Sequence, residues 1–227
     1  MKIGIIIPME QEQRLLLESL TDIKETRIAG VTFYQGIYNT HQVILGLSGI
    51  GKVQAAMTTS IMAEKFQPEV IINTGSAGGI GQGLKIGDVV VSTKLAYHDV
   101  DVEGYTKGQL PNQERYFVAD EHYVNEIVVA AQKNNLSVHE GLIVTGDQFI
   151  GDKSKNQTIL ANFPEALASE MEGAAVAQIC KNFAIPFVVI RSMSDVADDN
   201  ANVDFDEFVV TAGKNSVQIL LSFLDNN

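Results

Sequence analysis

Short apolar runs that favour β-strands alternate along the chain with longer amphipathic segments. The run Lys2–Ile7 is continuous and β-branched and stops at Pro8, which is typical of a buried strand. Further strands are predicted at Thr32–Tyr38, Gln42–Leu47, Val70–Asn73, Asp88–Ser92, Leu142–Val144 and Phe187–Arg191. Helices are predicted at Gln11–Leu20, Lys52–Phe66, Tyr123–Lys133, Gly173–Asn182 and within Val203–Leu224. Continuous apolar strands between helices predict an α/β fold with a central sheet.

No repeat, low-complexity tract or linker interrupts this alternation, so we expect one domain over residues 1–227. The stretch Tyr97–Glu114 is polar and rich in Gly, Asp and Gln, and it predicts a long loop with a functional or interface role.

The charge balance narrows the class of partner. The formal net charge is −12 at pH 7, and such a surface repels nucleic acid and anionic lipid. Cys180 is the single cysteine, which excludes an intramolecular disulfide and fits a reducing compartment. The first apolar stretch is too short for a signal sequence or a membrane span. We therefore expect a cytoplasmic protein with a small-molecule partner.

Several motifs for nucleotide, nucleophile or metal chemistry are incomplete. The stretch from Gly46 to Lys52 has the glycines and lysine of a P-loop, but Val53 stands where a magnesium-binding hydroxyl is required. Thr74 replaces the first glycine of a nucleophile elbow around Ser76. The spacing of His and Cys matches no metal motif. We expect no metal and no cofactor.

Acidic residues at strand ends remain as candidates for the chemistry. Glu12 follows the first predicted strand, Asp195 follows another, and Glu170 and Glu172 precede an apolar helix. Ligands of α/β folds gather at the carboxyl ends of strands. Each acid also has a structural alternative. Ser169 and Glu172 have the spacing of a capping box, Glu12 suits a helix dipole, and Asp195 suits a turn.

Six motifs occur in one order along the chain and together resemble a known family. They are Met9-x-x-Glu12, Ser48-Gly-Ile-Gly-Lys52, Asn73-Thr-Gly-Ser-Ala-Gly-Gly79, Gly146-Asp147-x-Phe149-Ile150, Glu170-Met171-Glu172 and Ser194-Asp195. This order resembles the bacterial 5'-methylthioadenosine/S-adenosylhomocysteine nucleosidases of the nucleoside phosphorylase superfamily. The resemblance implies a three-layer αβα fold around a mixed, twisted sheet, a homodimer, and cofactor-free hydrolysis of the N-glycosidic bond of adenine thionucleosides.

The resemblance also implies a role for each acid. Asp195, oriented by Ser194, would protonate N7 of adenine so that the base leaves neutral, which requires a raised pKa and hence burial. Glu172 would stabilise the cationic sugar, as anions do for developing positive charge. Glu12 would activate the attacking water, with Arg191 as a candidate to orient it. Glu170 is left as a supporting residue.

The remaining implied site residues bind substrate. Phe149 would stack on adenine, the backbone of Phe149 and Ile150 would read its edge, and Met171 would pack on the ribose. The other residues implied at the site are Met9, Ile50, Ser76, Gly78 and Phe205. The implied homodimer would add Val102, Tyr105 and Pro111 from the partner subunit.

Two alternatives stay open at this point. A nucleoside phosphorylase of the same superfamily would need positive charge for phosphate, and the stretches around Met9 and Ser76 contain no arginine. A non-catalytic nucleoside-binding protein would have no use for a water-activating carboxylate.

Overall fold

The computed structural model describes residues 1–197 and 201–227, apart from the side chains of residues 11, 12, 202 and 203. The strands are β1 (Lys2–Ile7), β2 (Thr21–Ile28), β3 (Val31–Tyr38), β4 (His41–Leu47), β5 (Val70–Gly79), β6 (Val89–Tyr97), β7 (Phe117–Val118), β8 (Val138–Thr145), β9 (Ala166–Glu170) and β10 (Phe187–Asp195). The helices are α1 (Glu10–Leu17), α2 (Lys52–Phe66), α3 (Glu121–Lys133), α4 (Lys153–Asn162), α5 (Gly173–Phe183) and α6 (Ala201–Asn226).

The strands of the described residues form one mixed sheet. Its order is β10-β6-β8-β9-β5-β1-β4-β3-β2, with β7 beside β6. An additional pairing of β10 with β5 closes the first five strands of that order into a ring, while β1 to β4 extend from it as an open sheet. β1, β4, β5 and β10 run parallel, and β2 is an edge strand held by β3 alone.

Two groups of helices cover this sheet. α2 packs with α5, and α6 packs with α1, α3 and the central strands β5 and β10. Every residue of β10 is buried, and five of the six residues of β1 are, because both strands lie between helices. The mixed αβα architecture confirms the predicted fold class. None of the described helices is long and apolar enough to cross a membrane.

The structure differs from the predicted elements where local pattern is weak. The sequence did not predict four elements. β2 is largely exposed and charged, and β7, α4 and β9 are short or polar. β5 runs to Gly79, through a glycine-rich stretch that pattern alone assigns to a loop. α1 ends at Leu17 rather than at Leu20.

Candidate active site

One cavity opens where the last residues of several strands meet. Gly78 near the end of β5 pairs with Asp195 of β10 on one side and with Ser169 of β9 on the other. Glu170 of β9 in turn pairs with Thr145 at the end of β8. The cavity is lined by Pro8, Met9, Ile50, Ser76, Ala77, Gly78, Gln148, Phe149, Ile150, Ser169, Glu170, Met171, Glu172, Ser194, Asp195 and Phe205. The predicted acids Asp195 and Glu172 therefore lie on the wall of one cavity.

Asp195 is held at the end of β10 by backbone and side-chain donors. It is 1% exposed, and its Oδ1 accepts a hydrogen bond of 2.9 Å from the amide of Ala197. Ser194 Oγ lies 3.0 Å from Asp195 Oδ2 and 3.3 Å from the carbonyl of Ala77. Because the hydroxyl has one proton, it can donate to the carbonyl while it accepts from a protonated Asp195. Both protonation states of Asp195 are thus accommodated without a change of backbone.

Gly78 leaves the space that Asp195 occupies. A Cβ atom on residue 78 would lie 2.9 Å from Asp195 Oδ1, which is closer than real Cβ contacts allow. The glycine at this position is therefore explained by the approach of a neighbouring carboxylate.

Glu172 lies at the start of α5, but its side chain contacts the beginning of a different helix, α2. Its Oε1 accepts a hydrogen bond of 2.9 Å from the amide of Gly51, whose φ of +99° suits a glycine. The next amide, of Lys52, donates to Asp147 Oδ1 at 2.8 Å. The incomplete P-loop of the sequence thus presents a helix N-terminus whose first amides bind two of the protein's own carboxylates.

Glu170 and Arg191 form a buried ionic network behind Glu172. Arg191 is fully buried, and its Nη2 donates to Glu170 Oε2, to Asn73 Oδ1 at 2.7 Å and to Glu172 Oε2 at 3.4 Å. Thr145 Oγ1 donates to Glu170 Oε1 and accepts from the amide of Ala174 at 2.8 Å. Arg191 does not line the cavity, but it contacts Glu170 and Glu172, which do.

The capping role predicted for Glu172 belongs to Glu170. The side chain of Glu172, at the N-cap of α5, makes no capping hydrogen bond. Instead Glu170 Oε2 accepts from the amides of Glu172 at 3.0 Å and Gly173 at 2.7 Å. Ser169 lies in β9 rather than at the helix start, so the alternative interpretation of Ser169 and Glu172 as a capping box is wrong. The side chain of Glu172 is consequently free to turn towards α2 and the cavity.

Burial and charge shift the protonation of Glu172. Its removal from water, together with the negative charge of Glu170, raises the pKa of Glu172 to about 7. The charge of Arg191 and the hydrogen bond from Gly51 act in the opposite direction. Burial and the neighbouring carboxylate thus favour the protonated form of Glu172.

The other side of the cavity is apolar and partly aromatic. The rings of Phe149 and Phe205 meet edge to face, with centroids 5.7 Å apart and planes at 81°. Phe149 is 41% exposed, and its ring has room for a second flat partner. Met9, Ile50 and Met171 complete this surface. Carboxylates facing an aromatic wall suit a ligand with a flat base and a polar sugar.

The sequence matches the phosphorylase superfamily over residues 2–225. It is 46% identical over 224 residues to the 5'-methylthioadenosine/S-adenosylhomocysteine nucleosidase of Staphylococcus carnosus, with 98% of each chain covered. The structure superposes with a TM-score of 0.97 on the corresponding nucleosidase of Neisseria meningitidis in complex with methylthio-immucillin-A, which is 41% identical, over 100% of this chain and 99% of that one. The S-adenosylhomocysteine nucleosidase of Streptococcus pyogenes in complex with 5-methylthiotubericidin gives 0.96 at 46% identity, over 100% and 97% of the two chains.

The chain belongs to the 5'-methylthioadenosine/S-adenosylhomocysteine nucleosidases. Members of this family are N-glycosyl hydrolases, and the family resemblance inferred from the six motifs is confirmed.

Some residues implied at the nucleosidase site are not brought to the cavity by this chain. Val102, Tyr105 and Pro111 lie in the loop after β6 and do not line this cavity, and their place in a partner's site stays a prediction. Glu12 falls in α1, but its side chain lies outside the described residues. Among the described residues, no group of three or more His, Cys, Asp or Glu is arranged to hold a metal ion.

Sequence reasoning missed several residues that shape this nucleosidase site. Thr145, which anchors the ionic network, and Gln148, which lines the cavity, were not named from the sequence. Asn73, Ala77 and Asp147 belonged to recognised motifs but had no assigned role, and the structure places them in the ionic network, on the cavity and at the start of α2. These contacts join segments far apart in sequence, so only the positions of polar residues at strand ends could have indicated them.

Proposed function

We propose that this enzyme hydrolyses the N-glycosidic bond of 5'-methylthioadenosine and S-adenosylhomocysteine, releasing adenine and a 5-thioribose product. The observation that carries the proposal is the cavity itself. It is lined by Asp195 with Ser194 beside it, by Glu172 at the start of α5, and by the partly exposed ring of Phe149. Family membership supplies the substrate class, since the relatives named above are nucleosidases of these thionucleosides.

Asp195 is proposed as the general acid. As the bond between C1' of the sugar and N9 of adenine breaks, its electron pair moves to the base. A proton from Asp195 to N7 lets the base leave as neutral adenine rather than as an anion. The buried position of Asp195 and the adaptable hydroxyl of Ser194 support this role.

Glu172 and Glu12 are proposed to act on the sugar and the water. Bond cleavage leaves positive charge on the ribosyl group, and the Glu172 carboxylate held by Gly51 would stabilise that charge and bind ribose hydroxyls. Glu12 would take a proton from water as the hydroxide oxygen bonds to C1'. Glu12 then releases this proton to solvent, and Asp195 takes up one proton from solvent in place of the one it delivered to the base.

A nucleoside phosphorylase is less well supported by this site. Among the described residues that line the cavity there is no lysine and no arginine to bind phosphate. The amides at the start of α2, where an anion would bind, already bind Glu172 and Asp147. Phosphate bound there would be repelled by these carboxylates, since two like charges at contact distance repel by several kcal/mol when poorly solvated.

The test mixes the purified protein with 5'-methylthioadenosine and follows adenine release with and without excess phosphate. The expected result is adenine release at the same rate in both, with free methylthioribose as the sugar product by mass spectrometry. A sugar 1-phosphate would overturn the proposal in favour of phosphorolysis. Binding without any adenine release would favour a non-catalytic nucleoside-binding protein.

A further inference from the structure

Glu170 accepts hydrogen bonds on both of its carboxylate oxygens. Its Oε2 accepts from the amides of Glu172 and Gly173 and from Arg191, and its Oε1 accepts from Thr145. It is 6% exposed. With its lone pairs directed at these donors, the carboxylate has little capacity left for a substrate hydroxyl.

Two of these contacts also act on Glu172. One of the amides that donate to Glu170 is that of Glu172 itself, at the turn from β9 into α5. Arg191 bridges the two carboxylates, since its Nη2 contacts Glu170 and lies 3.4 Å from Glu172 Oε2. Loss of Glu170 would therefore release the backbone of Glu172 and redirect the arginine that faces its side chain.

We infer that Glu170 is a positioning residue for the hydrolysis, holding the backbone of Glu172 in place and keeping its carboxylate turned to the sugar side of the cavity. This inference rests on the proposed function and assigns Glu170 no direct contact with the reacting atoms. Side chains with locked neighbours preserve the geometry on which rate depends, and a displacement of about 1 Å can cost about 100-fold in rate.

The same arrangement gives Glu170 a second effect, through charge. Glu172 is faced by Glu170 from β9, by Arg191 from β10 and by the Gly51 amide from α2, with Lys52 and Asp147 beyond that amide and Asp195 elsewhere on the cavity wall. The negative charge of Glu170 raises the pKa of Glu172, and Arg191 lowers it. Neutralising Glu170 removes the first effect, so that the charge of Arg191 still lowers the pKa of Glu172 without the opposing charge of Glu170.

The test compares Glu170→Gln with the parent enzyme in the pH profile of kcat/KM for methylthioadenosine. Ionised Glu172 is the form proposed to stabilise the sugar, so the acidic limb of the profile should move to lower pH when the charge of Glu170 is removed. The expected shift is about one pH unit, because neighbouring acids that titrate as a pair interact by about that much. In addition kcat should fall by up to about 100-fold.

Thr145→Val is the matched structural control. It removes a hydrogen bond to Glu170 without removing charge. It should lower Tm while the acidic limb stays at the parent's pH. A merely structural Glu170 would lower Tm in Glu170→Gln with no shift of the limb, and that result would overturn the inference.

Glu170→Asp keeps the test decisive if Glu170→Gln does not fold. It retains the charge but withdraws the carboxylate by one methylene, so kcat should fall while the acidic limb stays in place. Parent-like kcat in Glu170→Asp would contradict the positioning role. A parent enzyme that releases no adenine would instead contradict the proposed function, so the two failures are distinguishable.

Discussion

Two glutamates separated by one residue acquire different environments in this fold. Glu170 ends β9 and turns towards the amides of α5, so its charge is matched by several donors. Glu172 turns the other way, towards the amide of Gly51, and has fewer donors for an equally buried carboxylate. Burial and the neighbouring negative charge raise the pKa of Glu172. One acid is thereby suited to structure and the other to a charge that changes during reaction.

The role of Asp195 predicts a large loss of turnover on amide substitution. Asp195→Asn keeps the shape of the side chain but cannot supply a proton, so kcat should fall by about two to four orders of magnitude. Steady-state adenine release measures the loss. Ser194→Ala removes only the hydroxyl beside Asp195 and should cost about tenfold, the scale of one hydrogen bond. An Asp195→Asn enzyme within a few-fold of the parent would remove this residue from the mechanism.

Glu172 predicts a pH-dependent gain of stability when its charge is removed. Its pKa is about 7 in the folded protein against a reference value of 4.5, so ionisation costs the native state more than the unfolded one. The contribution of the carboxyl group to stability is fully present below about pH 4.5 and is lost as pH rises through about 7. Glu172→Gln stays neutral, so its Tm advantage over the parent should be larger at pH 8 than at pH 5.

The control for this prediction is Glu114→Gln, which removes an exposed carboxylate paired with Lys181. Exposed pairs contribute little, and the Tm difference from the parent should change little between the two pH values. A Glu172→Gln enzyme whose Tm advantage is equal at pH 5 and pH 8 would contradict the buried-charge interpretation.

At the scale of elements, β5 allows the site to be built because it carries glycines where its neighbours approach. The lack of a side chain at Gly78 leaves space for Asp195, and the lack of one at Gly75 leaves space for the guanidinium of Arg191. Extended glycine strands lose entropy on folding, and here that cost is offset by buried hydrogen bonds that a side chain would prevent.

This predicts unequal effects of alanine along one face of β5. A Cβ atom at Gly75 would overlap Arg191 Nη1 and touch Pro8, so Gly75→Ala should destabilise the protein by about 1–3 kcal/mol, as overpacking does. Gly79→Ala, on the same face, meets the flexible sulfur of Met193 at 3.3 Å and should cost less. Urea unfolding of both variants measures the difference, and equal losses would contradict this account.

At the scale of the whole molecule, apolar side chains remain exposed beside the cavity. Ile50, which lines it, is 59% exposed, and Val53 in the first turn of α2 is 78% exposed. Tyr105, in the loop after β6, is 42% exposed. Large apolar side chains left exposed beside a ligand cavity are typical of a surface that binds another protein. We propose that two copies of this chain form a homodimer, in which Val102, Tyr105 and Pro111 of each copy complete the other's cavity.

A dimer that shares its sites should lose activity when it dissociates. Sedimentation equilibrium of the parent should show a dimer, and Val53→Lys should shift the population to monomer and raise KM for methylthioadenosine. Val129→Lys, which changes a half-exposed valine on α3 away from the cavity, should do neither. A fully active monomer at assay concentration would contradict the shared site.

The sequence by itself determined which segments carry buried strands and helices, because the period of apolar residues reflects one buried face. β1, β4, α2 and α3 lie within one or two residues of their predicted bounds. The motif order also indicated the family, and the residues it implied at Asp195, Glu172 and Phe149 lie on one cavity. Local pattern failed at β2, whose side chains are mostly exposed and which is held only by pairing with β3.

Tertiary structure alone decided how the acids divide their roles. A capping box can be read from four consecutive residues, yet α5 is capped by Glu170, and Glu172 instead contacts an amide 121 residues away. The strand through Gly75–Gly79 likewise forms because β10 and β9 pair with it, which no local propensity indicates. Hydrogen bonds between distant segments satisfy buried polar groups, and such partners become available only when the chain has folded.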